Sequence, residues 1–331
     1  MPTETSGTAP GAPQAGGLVT VIGESLVDII SDPRRQGAED ETHPGGSPLN
    51  VAVGCARLDL RTRLVTHFAD DPHGLLIADH LAGNGVDAIV DHAPPTSSAL
   101  AVLDHDGAAR YTFSIGWDIA GAYDRALASV QESIHVHAGS IAAVLPPGSE
   151  LVLRLLEAAR GHATVSFDPN CRPAISPDVS AARRRAEDFV AASDVVKASD
   201  EDLRWLYPDR SLDSSMEAWL GLGPSIVALT RGAAGPVLLS REGRVDLPGE
   251  AITVADTVGA GDSFMAGLIS GLAQMDVVGA AGRERLCGLG ADRLRALAAY
   301  ANRAAAITCS RRGANPPRSA ELGPLTGAGP S

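Results

Sequence analysis

Short β-branched runs alternate with helical patterns along most of this chain. The runs LVTVIGESLVDII, TRLVTHFA, IHVHAG, ATVSFD, DVVKAS and PSIVALT have the length and composition of strands. PLNVAVGCARL and most of the segments between the strands have helical patterns. Strands separated by helices form a parallel sheet that is covered on both faces. The sequence therefore predicts an α/β fold with a mostly parallel central sheet.

The two ends of the chain lack this alternation. Residues 1–17 are rich in Gly, Ala, Pro and Thr and predict a disordered tail. The C-terminal residues are similar, so we expect one domain over 18–317 and a flexible tail over 318–331. The N-terminus has no basic segment followed by an apolar one, and no apolar run approaches the ~18 residues of a membrane span. We therefore expect a cytoplasmic protein without a membrane segment.

Charge and cysteine content narrow the function classes. The formal net charge is −13 over 331 residues, which repels phosphate backbones and argues against nucleic-acid binding. The four cysteines are far apart and form no CxxC pair, so reduced thiols are expected rather than a zinc site or a disulfide framework.

One segment interrupts the alternation of strands and helices. SALAVLDHDGAARYTF, residues 98–113, consists of two extended runs around Asp106-Gly107, which is a strong hairpin signal. A hairpin inserted in an α/β chain is often a lid or a dimer contact. It can equally be an edge extension of the main sheet, and the segment alone does not separate the two.

The stretch DTVGAGDSFMAG, residues 256–267, places a glycine-rich turn before a helix predicted over Asp262–Leu272. Gly259, Ala260 and Gly261 leave their backbone N–H groups unblocked at the N-terminus of that helix. Free N–H groups and the helix dipole together bind anions, phosphate above all. The turn therefore predicts an anion-binding site.

A carboxylate beside this anion site has two interpretations. Asp262 can simply cap the helix, because Asp is among the best N-cap residues. However, the two glycines cost backbone entropy that a cap alone does not require, and Asp256 adds a second carboxylate. An ionised carboxylate next to a bound phosphoryl group can accept the proton of a substrate hydroxyl as that oxygen attacks phosphorus. The motif thus favours phosphoryl transfer to an alcohol.

Two common nucleotide-binding motifs are missing from the sequence. GxxxxGK[ST] does not occur, so the chain is not a P-loop protein. GGSPLNVAVG is not GxGxxG, which argues against a dinucleotide-binding dehydrogenase.

The chain resembles the PfkB/ribokinase family of sugar kinases. DTVGAGDSFMAG matches the C-terminal signature of that family, and GGSPLNVAVGCARL, residues 45–58, matches the N-terminal one after a first strand that carries GESLVD. The order and spacing of both motifs fit over roughly 18–317. The resemblance implies a ribokinase-like fold with a small β-lid near 98–117, and an ATP-dependent carbohydrate kinase that uses Mg²⁺. We also expect a homodimer formed through the β-lid.

The resemblance assigns roles to residues around the sugar. It implies that Asp262 is the catalytic base and that the Gly259, Ala260 and Gly261 turn is the anion hole. Asp28, at the end of the first strand, matches the acidic residue that holds sugar hydroxyls. The implied sugar-binding glycines and amide are Gly45, Gly46 and Asn50.

The resemblance also implies a nucleotide site and metal sites. Ser199 and Asp202 stand where the family has Asn-x-x-Glu, so Mg²⁺ would be bound less directly, through water at Asp202. The implied ATP-binding residues are Lys197, Ser199, Thr230, Arg231, Gly232, Gly235 and Asn302. The family often holds a monovalent cation such as K⁺ beside the anion hole. Its ligands here would come from Asp256, Val258 and the backbone around Arg311 and Gly313.

The substrate is predicted less directly. GESLVDII, GGSPLNVA and FDPNCRP look closer to fructokinases and 2-keto-3-deoxygluconate kinases than to ribokinases. Asp168, Asn170 and Arg172 lie at a strand end and could shape the sugar pocket, or the Asn170–Arg172 segment is a structural turn. An arginine there would suit a substrate carboxylate. Trp117 either stacks on the sugar or packs the lid.

Fructose is the first expectation, and 2-keto-3-deoxygluconate or another small sugar is the alternative. A catalytically silent sensor of sugar or nucleotide on the same fold is a further alternative, because fold alone does not determine function. Arg110 is the only basic residue within 98–113, which argues against a phosphosugar kinase. An aromatic content of 4% argues against a nucleoside kinase.

Overall fold

Two sheets organise the part of the chain that the computed structural model describes, which is residues 17–32, 34, 40–93, 95–103 and 109–326. The N-terminal residues 1–16, the Asp106-Gly107 turn and residues 327–331 lie outside it. The strands are β1 (Leu18–Ile22), β2 (Leu26–Ser31), β3 (Glu41–Gly45), β4 (Thr62–His67), β5 (Asp87–Asp91), β6 (Ser98–Leu103), β7 (Ala109–Ser114), β8 (Ser133–Gly139), β9 (Thr164–Asp168), β10 (Val195–Ser199), β11 (Ile226–Thr230), β12 (Val237–Ser240) and β13 (Gly243–Asp246).

The main sheet has the spatial order β13-β12-β11-β10-β9-β8-β1-β4-β5. The strands from β11 to β5 in that order pair parallel, and β12 and β13 add an antiparallel edge. The predicted mostly parallel central sheet is therefore confirmed.

Helices cover both faces of this sheet. They are α1 (Ser47–Arg57), α2 (Pro72–Gly83), α3 (Tyr123–Glu132), α4 (Ile141–Val144), α5 (Gly148–Ala159), α6 (Val179–Ala191), α7 (Asp200–Leu206), α8 (Leu212–Leu222), α9 (Ala260–Gln274), α10 (Gly279–Cys287), α11 (Ala291–Cys309) and α12 (Ser319–Leu322). Neighbouring residues on a strand point to opposite faces. Val195 accordingly packs in one hydrophobic core with α1 and α9, and Val196 packs in the other core with α5 and α6. The two cores lie on the two faces of the sheet.

The run LVTVIGESLVDII, predicted as one strand, is divided between two sheets. β1 belongs to the main sheet, whereas β2 pairs antiparallel with β3 and parallel with β6. The chain changes sheets at 23–25, where Gly23 leaves no room for a side chain beside Pro48 and the Ser25 hydroxyl lies 2.8 Å from that of Thr66. Asp28 consequently stands inside β2 rather than at the end of the first strand.

The predicted hairpin also belongs to the second sheet. β6 and β7 pair antiparallel, and the order of this sheet is β3-β2-β6-β7. Of the two interpretations of residues 98–113, the edge extension of the main sheet is therefore wrong. This second sheet has four strands, because β2 and β3 join the hairpin.

The C-terminal segment is folded further than the sequence suggested. Residues 318–326, predicted to begin a flexible tail, include α12, whose Leu322 is buried. The backbone N–H of Leu325 donates to Gln274 Oε1 at 3.0 Å. The reason is that two leucines cover apolar surface. Leu322 packs with residues of α11, and Leu325 packs against this cluster and against the core that contains α9.

Among the described residues, no single helix is both long and apolar enough to cross a membrane. α9 and α10 reach that length only as a pair with a bend of 99°, and α9 is buried inside the fold.

Candidate active site

The glycine-rich turn ends in a tight N-terminus of α9. Gly259 is the N-cap residue with φ 74°, a conformation that L side chains rarely adopt. A Cβ on Gly259 would also lie 2.6 Å from the Cβ of Ala314. Asp262 lies in the first turn of the helix and makes no capping bond. The capping interpretation of Asp262 is therefore wrong, and its carboxylate is available for another role.

Helix α1 orients this carboxylate. Ser47 Oγ donates to Asp262 Oδ1 at 2.6 Å, and Asn50 Nδ2 donates to Asp262 Oδ2 at 2.8 Å. Both donors come from the first turn of α1, which follows the Gly45-Gly46 pair. The sequence assigned Asn50 to the sugar and no role to Ser47. The one available signal for Ser47 was its hydroxyl directly after the two glycines.

A cavity of about 350 Å³ lies between the second sheet and the N-terminus of α9. The predicted residues that line it are Asp28, Gly46, Asn50, Asn170, Arg172, Val258, Gly259, Gly261 and Asp262. Gly45 lies just outside, where a Cβ would be 2.3 Å from Asp28 Oδ2. The size suits a monosaccharide, and the carboxyl and amide groups suit hydroxyl ligands.

Glu24 is a lining residue that the sequence analysis missed. It is 2% exposed, and its Oε2 accepts a hydrogen bond from the backbone N–H of Ala142 at 3.0 Å. Burial raises the pKa of Glu24 to about 7, although bonds from Ser140 and Ala142 and the charge of Arg172 act in the opposite direction. Burial likewise raises the pKa of Asp28 against the pull of His43 and Arg172.

A larger cleft of about 850 Å³ opens on the other side of the turn. All seven residues predicted to bind ATP line it: Lys197, Ser199, Thr230, Arg231, Gly232, Gly235 and Asn302. The two cavities share Asn170, Arg172, Thr257 and Gly261. The predicted anion hole thus lies where the two cavities meet.

Lys197 brings a buried cation to this junction. Its Nζ donates to Asp168 Oδ2 at 2.7 Å, and a Cβ on Gly261 would lie 2.9 Å from the same Nζ. Burial opposes the charge of Lys197, but the carboxylates of Asp168 and Asp202 raise its pKa. Burial raises the pKa of Asp168 to about 6, so the pair is ionised at neutral pH.

The position of Asp168 differs from the expectation that it shapes the sugar pocket. Its exposure is 0%, and it lies beneath the lining of both cavities. The reason is that its strand, β9, is covered on both sides, so that its carboxylate reaches Lys197 on the neighbouring strand rather than the cavity.

Ser199 and Asp202 form a capping box at the start of α7. Asp202 Oδ2 accepts from Ser199, and its Oδ1 accepts from the backbone N–H of Cys171 at 2.7 Å. Both carboxylate oxygens are therefore already hydrogen-bonded. The described residues contain no cluster of three acidic, His or Cys side chains that could hold a metal ion. This donor set fits a Mg²⁺ ion that keeps its waters and is held mainly by phosphates.

Two other predicted nucleotide ligands have partners in the protein. The Arg231 guanidinium donates to Asp246 at 2.7 Å and to the Gly235 carbonyl at 2.9 Å, which fixes the turn at 232–235. Asn302 Nδ2 donates to the Pro248 carbonyl at 3.1 Å at the rim of the larger cleft.

The predicted cation ligands come together only in part. Asp256 accepts bonds from the backbone N–H groups of Val258 and Gly313, at 3.1 and 2.9 Å, which lower its pKa. Asp256 therefore joins the loop before α9 to the loop after α11. The prediction for residue 311 concerns its backbone, and its side chain bonds to Glu321.

Trp117 is part of the core rather than of the sugar site. It is 3% exposed and packs in the same hydrophobic cluster as α5 and α6. A Cβ on Gly148 would lie 2.5 Å from its Cδ1. Trp117 does not line the smaller cavity, so stacking on a sugar is wrong for this residue.

A carboxylate beside an anion hole, between a cleft of nucleotide size and a small polar cavity, is typical of a phosphotransferase that acts on an alcohol. The sequence model of the pfkB family of carbohydrate kinases matches residues 17–321, so the chain belongs to that family. It is accordingly a carbohydrate kinase.

Individual relatives agree with this assignment. The chain is 32% identical to a fructokinase of Rhizobium leguminosarum bv. trifolii over 261 residues, which cover 77% of this chain and 79% of the relative. A fructokinase of Vibrio cholerae, solved with fructose, ADP and potassium ion bound, superposes with a TM-score of 0.75 at 25% identity and covers 93% of this chain and 98% of its own. A fructokinase of Xylella fastidiosa shares the fold with a TM-score of 0.80 at 24% identity, over 90% of this chain and 93% of its own.

Proposed function

We propose that this enzyme transfers the γ-phosphoryl group of ATP to a hydroxyl of a small neutral sugar, fructose before others. Asp262 takes the hydroxyl proton while the N–H groups of the Gly259–Gly261 turn stabilise charge on the transferred group. The sugar lies in the smaller cavity and the nucleotide in the larger cleft.

The position of Asp262 carries this proposal. Its carboxylate lines the sugar-sized cavity, and Gly261, one residue before it, lines both cavities. Ser47 and Asn50 hold the carboxylate in one orientation, which leaves further lone pairs on its oxygens for a substrate hydroxyl. A fixed base and an anion hole at one junction match the requirements of phosphoryl transfer.

We further propose that Mg²⁺ accompanies the nucleotide. The ion would neutralise charge on the phosphates, and Asp202 would contact it through water. Lys197 adds a fixed positive charge on the protein side of the same cleft. K⁺ would bind beside Asp256, in keeping with the potassium ion in the Vibrio cholerae fructokinase.

The charge of the smaller cavity favours a neutral sugar over a sugar acid. Among the described residues that line it, Arg172 is the one cation, against the carboxyl groups of Glu24, Asp28 and Asp262. Arg172 acts electrostatically on both Glu24 and Asp28. A substrate carboxylate would have to compete with these groups for the arginine. Fructose is therefore preferred to 2-keto-3-deoxygluconate. The observation that would support 2-keto-3-deoxygluconate is the exposed Arg172, which could bind its carboxylate.

The decisive experiment measures ADP release with ATP and Mg²⁺ across fructose, ribose, 2-keto-3-deoxygluconate, fructose 6-phosphate and adenosine. Asp262→Asn should lower the turnover by ~10²–10⁴-fold. Asp292→Asn, the same change in the exposed first turn of α11, is the matched control and should leave it unchanged. Calorimetry with fructose and with a non-hydrolysable ATP analogue reports binding independently of turnover.

Each outcome leads to a different conclusion. Highest turnover with 2-keto-3-deoxygluconate would overturn the neutral-sugar assignment and leave the kinase mechanism in place. Binding of sugar or nucleotide without turnover on any substrate would instead favour the sensor. Full activity of Asp262→Asn would exclude Asp262 as the general base.

We also propose a homodimer in which the second sheets of two copies meet. Ile30 and Val102 on this sheet are each 36% exposed. Sedimentation velocity of wild type and Ile30→Asp tests the contact. A dimer that the substitution dissociates is expected, and a wild-type monomer at every concentration would contradict it.

A further inference from the structure

Helix α1 contacts the catalytic machinery at both of its ends. Its first turn holds Asp262 through Ser47 and Asn50. Between the ends, Gly54 allows α1 to pack closely against α9, because a Cβ there would lie 2.7 Å from that of Ala266. Its last turn carries Arg57. No role for Arg57 follows from the mechanism described above.

Arg57 bridges two segments that are far apart in the sequence. Its Nε donates to Asn84 Oδ1 at 2.8 Å at the end of α2. One of its terminal nitrogens donates to Asn315 Oδ1 at 2.5 Å and to the Pro316 carbonyl at 2.8 Å. Arg57 thus binds the loop 310–316, which follows α11, to the C-terminal end of α1.

The loop 310–316 packs against the turn 256–261 that forms the proposed anion hole. The backbone N–H of Gly313 donates to Asp256 at 2.9 Å. Ala314 lies directly against Gly259, so closely that any side chain at 259 would collide with it. A displacement of this loop would therefore shift the N-terminus of α9, where the N–H groups of the anion hole lie.

The three acceptors of Arg57, on Asn84, Asn315 and Pro316, argue that the geometry of its guanidinium is what the site needs. Burial and the nearby positive charges of Arg318 and Arg311 lower the pKa of Arg57 against the opposing charge of Glu321. A neutral residue would avoid that repulsion. Arginine offers donors in a rigid planar fork that can reach three acceptors in different directions, which lysine cannot do.

We propose that Arg57 is a positioning residue that keeps the loop 310–316 against Gly259 and so aligns the anion hole with Asp262. The inference rests on the proposed phosphoryl transfer, because the anion hole has a role only there. The effect of Arg57 is indirect and concerns the binding of the transferred phosphoryl group. It should not concern the sugar, because the other end of α1 borders the sugar cavity.

The test compares Arg57→Met and Arg57→Lys with wild type. We expect kcat to fall roughly 10-fold in both variants, because small displacements of aligned groups cost 10- to 100-fold, while KM for the sugar stays within about 2-fold. Recovery of kcat in Arg57→Lys would overturn the geometric role in favour of a charge effect. Partial unfolding would also lower kcat without changing KM, so urea unfolding of both variants must show that they are fully folded under the assay conditions. A rise in KM for the sugar as large as the loss in kcat would overturn the proposal.

Two further variants separate the loop contact from the rest of the network. Asn315→Ala removes one of the two acceptors on the loop and leaves the Pro316 carbonyl, so it should reproduce part of the loss in kcat. The double variant Arg57→Met/Asn315→Ala should lose no more than Arg57→Met alone. Asn84→Ala removes the contact with α2 only and should keep wild-type kcat. A loss in Asn84→Ala as large as that in Arg57→Met would overturn the proposal.

Hydrogen exchange of the backbone amides at 310–316 gives a readout that needs no activity. Exchange there should be faster in Arg57→Met and Asn315→Ala than in wild type, and unchanged in Asn84→Ala. Unchanged exchange in Arg57→Met would refute the positioning role. Faster exchange in an enzyme that proves inactive on every sugar would support the contact and count against the proposed function alone.

Discussion

Lys197 Nζ lies 2.7 Å from Asp168 Oδ2 and against the backbone of Gly261, so a buried ion pair lies next to the turn that we propose as the anion hole. Asp168 is on β9 and Lys197 on the adjacent β10. The carboxylate keeps the ammonium charged and in place, and it lies too deep to touch a ligand itself.

Removal of the Lys197 charge should therefore slow phosphoryl transfer. We expect Lys197→Met to lower kcat by ~10²–10³-fold, the range found when one group that stabilises transition-state charge is lost. Asp168→Asn keeps the side-chain volume and the lysine but removes the negative charge that pairs with it. The decrease in kcat should therefore be smaller than for Lys197→Met. Steady-state kinetics with fructose and ATP measure both. A smaller effect for Lys197→Met than for Asp168→Asn would contradict this order.

The Ser47 hydroxyl should matter through Asp262. Ser47→Ala removes the donor 2.6 Å from the carboxylate, and kcat should fall about 10-fold, since one hydrogen bond to a charged group contributes about 1.5–3 kcal/mol. Ser263→Ala is the matched control, because among the described residues its buried hydroxyl on α9 bonds to Thr308 alone. Its turnover should stay near wild type. An equal decrease of kcat in Ser47→Ala and Ser263→Ala would mean that Ser47 contributes to the stability of the fold and not to the orientation of Asp262.

Two glycine-to-alanine changes should have opposite results. In Gly261→Ala the new Cβ would lie 2.9 Å from Lys197 Nζ, so we expect lower kcat without a stability gain. At Gly221, on α8, a Cβ meets nothing within 4 Å, and Gly221→Ala should raise stability by roughly 0.5–1 kcal/mol with normal activity. Urea unfolding and turnover measured side by side check both. Normal kcat in Gly261→Ala would show that Lys197 can move aside at no cost.

The buried imidazoles on β8 should make the fold sensitive to acid. Burial lowers the pKa of His135 to about 4 and that of His137 to about 3, from 6.5. Between about pH 4 and 6.5 the unfolded chain binds these protons and the folded chain does not, so both groups lower stability as the pH falls. Glu24 and Asp168, whose pKa values are raised, act in the opposite direction.

A difference measurement isolates the histidine contribution. His137→Asn can keep the bond to Ser166, which His137 Nδ1 makes at 2.9 Å. Relative to wild type, its free energy of unfolding should rise by about 1 kcal/mol per pH unit as the pH falls from 6.5 to 4.5. Urea unfolding at several pH values measures this difference. A constant difference across that range would mean that His137 binds its proton with the same pKa in the folded and the unfolded protein.

Features that depend on near neighbours in the chain could be predicted from the sequence. The alternation of β-branched runs and helical patterns determined a mostly parallel sheet with two covered faces. The Gly259–Asp262 turn predicted an anion hole with an adjacent carboxylate, because backbone freedom and helix N-termini act over a few residues. The structure places this turn and the Asp262 carboxylate where two cavities meet. The two motifs in order also determined the family. Local patterns carry this information because their physics is local.

Only the tertiary structure decided how these parts combine. Ser47 and Asp262 are 215 residues apart, and no local pattern predicts their bond. A period of two along a strand tells which residues share a face but not which sheet the strand joins. The sequence therefore predicted Asp28 at the end of the first strand, whereas it lies in β2 of the second sheet. Burial separated both Asp168 and Trp117 from the smaller cavity, because burial depends on every element packed around a residue. The sequence by itself thus determined the chemistry available to this protein, and the long-range packing decided which residues can use it.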